Sequence, residues 1–308
     1  MTCRLLLCRW LLAVAVSVGP LLVTVPLLGQ TTAPQEASSE TPKLPDRSTA
    51  VAPNERIRLF DGTLDQFDIW LKDTKRQDPR KVFRVTEQLL HITGDGLGGL
   101  VTKESYRDYH LVLEYRWGDK TWKNRKTRSR DSGLLIHSLG PMGGYNGTWM
   151  HSIEVQIIEG GVGDFILVAG KDEKNRPLPI SLTCETARDR DGEVIWKKGG
   201  KRKVFNLRNR RRINWYGRDP DWKDVLGFRG RHDVESPGKL WTRLDVMCDG
   251  GHVEVFVNGK KVNEGFDAVP SFGKLQLQTE LAEIFVRKWE LWPIGKGPKP
   301  AAAVQDGS

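Results

Sequence analysis

The sequence predicts an all-β sandwich of two antiparallel sheets, and three observations carry that prediction. Short runs of strict apolar/polar alternation recur along the chain, turn residues punctuate them, and no stretch shows an amphipathic helix of convincing length. The first clear run is Leu111-Val-Leu-Glu-Tyr-Arg-Trp117, with Glu114 and Arg116 opposite Leu113 and Tyr115. Three further runs, 132–138, 150–158 and 164–169, are joined by Gly-rich turns. In the middle one Ile153, Val155 and Ile157 take one face, and Ser152, Glu154 and Gln156 take the other. His252-Val-Glu-Val-Phe-Val257 alternates up to Asn258-Gly259, a strong hairpin dipeptide, and Lys260-Lys-Val262 leads back. Lys274 to Glu280 sets Gln276, Gln278 and Glu280 against Leu275 and Leu277, and Glu283 to Trp292 forms the last strand. Short strands of this kind pack as two sheets face to face.

The ends of the chain differ from its body. Arg4 and Arg9 precede an apolar run from Trp10 to Gly29, and a Thr/Pro/Ser/Glu-rich segment follows, which is the order of a secretory leader. The expected organisation is a leader or anchor over 1–29, a disordered linker over 30–56, one β-sandwich domain over 57–294 and a flexible tail over 295–308. The body is therefore expected to be exported, periplasmic or extracellular, touching a membrane only if the leader is kept as an anchor.

Loss of Arg4 and Arg9 with the leader lowers the formal net charge from +9 to +7. The excess is local: residues 197–212 hold nine Lys or Arg and no acid. Such a run reads first as a solvated loop. It lacks the aromatic interleaving that binds single-stranded nucleic acid, so no nucleic-acid partner is expected. An anionic glycan or a membrane surface remains open to it. Cys184 and Cys248 stay in the body, where one disulfide or two buried small hydrophobes fit equally well. No CxxC or HExxH pattern is present, which argues against thiolate and zincin-type zinc sites.

Several strands carry acids, amides and an Arg opposite their apolar faces: Glu114 and Arg116, Glu154 and Gln156, and Gln276, Gln278 and Glu280. Were these strands neighbours, they would form one polar groove suited to sugar hydroxyls. Trp117, Trp122, Tyr145 and Trp149 would be at hand for a sugar's apolar face.

Arg58-Leu-Phe-Asp-Gly62, Asp131-Ser-Gly-Leu-Leu-Ile-His137 and Trp149-Met-His-Ser-Ile-Glu-Val-Gln156 resemble pieces of the DUF1080 family, also called the 3-keto-disaccharide hydrolase domain. Gly217-Arg-Asp-Pro-Asp-Trp222, Gly227-Phe-Arg-Gly230, Asp233-Val-Glu235, Val257-Asn-Gly259 and Gly273-Lys-Leu-Gln-Leu-Gln278 to Glu283-Ile-Phe-Val-Arg287 continue the likeness in order. The resemblance implies a concanavalin-like jelly roll, export, and action on 3-keto-glycosides. The chain departs from the family at Asp131, where Asn is common, and at Lys239-Leu-Trp-Thr242, where Glu-Trp-Asn is typical.

A ketone at C3 acidifies the C2–H bond, so a base can remove that proton and expel the C1 substituent, after which water adds. Such a site needs a base, a partner for the enolate oxygen and an acid for the leaving group. Glu154 and His151 are the candidate base and acid, with His137 competing for the second role. Both His151 and Glu154 can serve only if the strand bulges near 151, because they alternate. Glu114, Arg116, Trp149, Gln156 and Gln278 are expected to bind substrate, and Asp131 and Glu280 to bind a hard cation such as Ca²⁺. A two-carboxylate glycosidase of the E-x-D-x-x-E type is disfavoured, since Glu154 is followed by Gln156 and then Glu159. The alternative to an enzyme is a lectin-like module that binds carbohydrate without chemistry.

Overall fold

A computed structural model of the chain describes residues 42–209 and 211–306. The leader 1–29 lies outside the described residues. Among these residues the strands in chain order are β1 (Ile57–Arg58), β2 (Phe67–Leu71), β3 (Phe83–Thr86), β4 (Leu89–Ile92), β5 (Leu97–Thr102) and β6 (Tyr109–Thr121). Then come β7 (Asp131–Leu139), β8 (His151–Ile158), β9 (Phe165–Val168), β10 (Ser181–Arg188), β11 (Val194–Trp196) and β12 (Lys201–Asn206). The last are β13 (Arg212–Ile213), β14 (Thr242–Asp249), β15 (His252–Val257), β16 (Lys260–Val269), β17 (Lys274–Glu280) and β18 (Ala282–Pro293).

These strands form two antiparallel sheets, and the expected jelly-roll sandwich is what the chain builds. One sheet has seven strands in the order β13-β9-β8-β7-β17-β5-β2. The other has eleven, running β11-β10-β16-β15-β14-β6-β18-β4-β3, with β1 beside β18 and β12 beside β10. The late strands are inserted between early ones: β17 between β5 and β7, and β18 between β4 and β6.

Alternation places the core between the sheets. Ile153, Val155 and Ile157 of β8, Leu134 and Ile136 of β7, and Leu275 and Leu277 of β17 face Leu111, Leu113 and Tyr115 of β6 and Val253, Val255 and Val257 of β15 in one buried cluster. The Asn258-Gly259 turn has φ of 47° and 81°, the left-handed pair that a tight two-residue hairpin requires. Cys184 and Cys248 are free thiols buried in this core. Among the described residues no helix is long and apolar enough to cross a membrane.

Three expectations about loops and ends change. Part of the basic run, expected as a solvated loop, is the edge strand β12, paired with β10 from Ser181↔Asn206 to Thr186↔Lys201. Linker residue Val51 bridges Tyr106, with its N–H bonding Ser105 O at 2.8 Å and its carbonyl accepting from Arg107 N at 2.9 Å. The tail, expected to be flexible, makes polar contacts to Trp241 and Arg287. Trp241 N donates to Gln305 Oε1 and Trp241 Nε1 to Asp306 Oδ2, both at 2.8 Å, and Arg287 Nη1 reaches Asp306 Oδ1 at 3.0 Å.

Candidate functional site

The outer face of the seven-stranded sheet can be read row by row from its register. One row crosses the whole sheet: Arg212, Ile166, Glu154, Leu135, Gln276, Val101 and Asp68 are successive Cα partners. In the next, Gly133 pairs with Gln156, and Gly99 lies between Gln278 and Trp70. Asp131 and Glu280 stand nearer the same end of the sheet, at the start of β7 and the end of β17. The two glycines make room for the polar side chains of this face. A Cβ on Gly133 would collide with Glu154 Oε1 and Gln278 Oε1, and one on Gly99 would collide with the Gln276 amide.

Burial outweighs the nearby cations on this face. Glu154 is 5% exposed, and burial, then the charge of Asp131, push its carboxyl up to about 8 despite Arg212 nearby. Burial also raises Asp131, against the pull of Arg125 and Arg212. Burial, then Asp131 and Glu154, raises Glu280 well above the usual carboxylate range. Asp131 Oδ1, Gln276 Nε2 and Gln278 Oε1 are buried and make no hydrogen bond. Buried polar atoms without partners are costly, so a row of them on one face asks for a ligand. Two elements pack against this row: Met150 N bonds Gln276 Oε1 at 3.1 Å, and Arg125 pairs with Asp131.

The structure brings together Glu154, Gln156, Gln278, Asp131 and Glu280, all on this outer face. Trp149 lies in a turn where it bridges Tyr145, next to Met150, whose N–H bonds Gln276 Oε1. The other predicted residues go elsewhere. Glu114 and Arg116 lie on β6 in the opposite sheet, which corrects the expectation that they share the groove. There Glu114 accepts from Arg287 Nε at 2.7 Å and Lys288 Nζ at 2.9 Å, and Arg116 lies over the Trp241 ring at 4.8 Å. Trp117 points into the sandwich and donates to Glu235 at 2.7 Å.

Neither histidine reaches the acids. His151 is wholly buried on the core parity of β8; its Nδ1 accepts from Gly170 N at 3.2 Å, so its Nε2 donates to Pro179 O at 3.1 Å. Burial drives its pKa down to about 4, and both nitrogens are spent on backbone. His137, also held near 4 by burial, bonds Pro270 O at 3.0 Å and sets its ring edge-on to core residue Tyr109. At Asp131 and Glu280, the two acids expected to bind a hard cation, the Arg125 guanidinium pairs with Asp131 and stands 3.8 Å from Glu280. Glu159 is structural, accepting from Arg130 Nη1 at 2.7 Å, Arg130 N at 2.9 Å and Gly227 N at 2.8 Å. Sequence reasoning missed Arg125 and Arg212. Nothing local marks Arg125, and Arg212 is hidden at the end of the basic run, where only the following Ile-Asn-Trp hints at a strand.

The family model for the 3-keto-alpha-glucoside-1,2-lyase-like domain matches residues 55–291. No curated protein matches the chain significantly. Among solved structures, two candidate glycosyl hydrolases from Parabacteroides distasonis align over 78% of this chain. One is 16% identical over 100% of its own length with a TM-score of 0.43, the other 15% identical over 94% with 0.44. A carbohydrate-binding module from Bacillus subtilis aligns at 11% identity over 68% of this chain and 89% of its own, with a TM-score of 0.38. These likenesses are too distant to assign a substrate.

Proposed function

The chain belongs to the 3-keto-alpha-glucoside-1,2-lyase-like family, and on that footing we propose that it is an exported enzyme that opens 3-keto-glycosides by elimination followed by hydration. The observation that carries this reading is the buried Glu154 carboxyl, raised to about 8, set among the unpartnered Asp131 Oδ1, Gln276 Nε2 and Gln278 Oε1. A carboxylate that ionises near neutral pH is a far stronger base than an ordinary one, and removing a proton next to a ketone needs that strength. Glu154 takes the C2 proton. Glu280, with its carboxyl 25% exposed and its pKa raised, holds a proton at the more exposed end of this row and gives it to the departing C1 oxygen. Gln156, Gln276 and Gln278 supply amide donors and acceptors for the sugar hydroxyls. Water then adds to the C1=C2 double bond, its oxygen to C1 and a proton to C2.

Export follows from the order of the first residues: basic, apolar, then polar. The experiment is to incubate the purified protein with a 3-keto-disaccharide and follow it by NMR. The proposal expects a free sugar together with a 1,2-unsaturated keto-sugar or its hydrate. Saturable binding with no release would overturn the enzyme reading and assign the domain as a carbohydrate-binding module instead.

A further inference from the structure

We infer that Arg212 holds the enolate oxygen during this elimination and that Asp164 is the positioning residue that aims it; the inference rests on the reaction proposed above. Asp164 is completely buried and has a full set of donors. Trp215 N reaches it at 2.7 Å, Arg212 through Nε at 3.1 Å and Nη2 at 2.6 Å, and Arg218 through Nη1. One carboxylate therefore faces two guanidinium groups. Arg218 is locked, 5% exposed and stacked over Trp222 at 4.4 Å.

Arg212 is different. It binds Asp164 side-on through Nε and Nη2, Nε also reaches Asn214 Oδ1 at 3.2 Å, and among the described residues its Nη1 makes no hydrogen bond. Its side chain is 32% exposed. On β13 it occupies the same row and face as Glu154, with Ile166 between them. Its charge is felt at both Asp131 and Glu154. The planar fork is thus fixed by one edge and open at the other, on the same face as the proposed base and two strands from it.

Chemistry demands such a group. When Glu154 takes the C2 proton, the C–H electron pair becomes the C2=C3 bond and the carbonyl pair moves onto the C3 oxygen. That anion forms among three carboxyl groups, in surroundings where an uncompensated charge is expensive. Arg125 is already committed to Asp131, Asp224 and Glu280, whereas Arg212, among the described residues, keeps one donor edge free on this face. On collapse the C3=O bond reforms, C1=C2 forms, and the C1–O bond breaks with its pair leaving on oxygen.

The test compares wild type, Arg212→Lys, Arg212→Gln and Asp164→Asn on a 3-keto-disaccharide in D2O, reading sugar release and deuterium at C2. Arg212→Gln is expected to lose about 10²–10³-fold in kcat, the cost of removing one oxyanion donor, with KM changed less than about threefold. Deuterium incorporation should fall with release, and added guanidinium should restore part of both, which a merely structural arginine would not allow. Asp164→Asn should lower kcat by a smaller factor with KM held. Arg212→Gln at wild-type kcat would overturn the assignment and leave the elimination reading standing. A wild type that neither releases sugar nor exchanges C2 hydrogen would instead sink the elimination reading itself.

Discussion

The outer faces of the two sheets look alike in sequence and behave oppositely in the fold. On the eleven-stranded sheet, burial alone would raise Glu114, but Lys288 and Arg287 outweigh it and hold the carboxyl below its ordinary value. Arg116 is likewise satisfied, lying over Trp241 and Phe285. On the seven-stranded sheet burial wins: Glu154, Asp131 and Glu280 are all raised, and three polar atoms beside them are left without partners. One face resolves its charges internally. The other keeps them unresolved, as a site does when a substrate is to complete it.

The largest effect is expected from Glu154→Gln, which should remove about 10²–10⁴-fold of turnover, the range for a general base, in a sugar-release assay. The same change should stabilise the protein at high pH. The folded carboxyl titrates at about 8 against an ordinary 4.5, so its contribution to stability is fully present below 4.5 and lost as pH rises through 8. Thermal melts of variant and wild type should therefore coincide near pH 4.5, diverge as pH rises from there to about 8, and stay apart above it, with the variant higher. A variant less stable than wild type at high pH would show that the carboxylate is compensated after all.

Gly133→Ala should come next. Its Cβ would displace Glu154 Oε1 and Gln278 Oε1, costing about 1–3 kcal/mol of stability by overpacking and about 10²-fold in rate through misplacement of the base. Denaturant melts and steady-state kinetics read the two separately. Unchanged kinetics in a folded variant would mean that the space at Gly133 has no part in the site.

The smallest effect belongs to the compensated face. Glu114→Gln gives up ion pairs whose cations are part-exposed, Arg287 at 21% and Lys288 at 39%, so about 1 kcal/mol should be lost. Its kcat/KM should stay at the wild-type value. A collapse of activity here would erase the distinction between the two faces.

The alternation of Ile153, Val155 and Ile157 against Glu154 and Gln156 is enough to place residues 151 to 157 of β8 on their faces, because side-chain period is a local property of a strand. It also put His151 opposite Glu154, and the structure keeps it there. Alternation says nothing about which strands are neighbours. That depends on pairings distant in sequence, such as β17 entering between β5 and β7, and so Glu114 and Arg116 were grouped with a groove that lies on the other sheet. Arg212 was illegible for a related reason: it sits at the end of a basic run, and only the pairing with Ile166 and the buried Asp164 separates it from its solvated neighbours.

One measurement bears on the contrast and on the chemistry together: the pH dependence of kcat/KM on a 3-keto-disaccharide, overlaid on a carboxyl ¹³C NMR titration of Glu154 and Glu114. The fold predicts that Glu154 ionises near pH 8 and that the rate climbs through the same inflection, while Glu114 is already ionised below 4.5 and leaves no mark on the rate. A Glu154 carboxyl ionised at ordinary acid pH, or a rate that ignores its titration, would contradict the account.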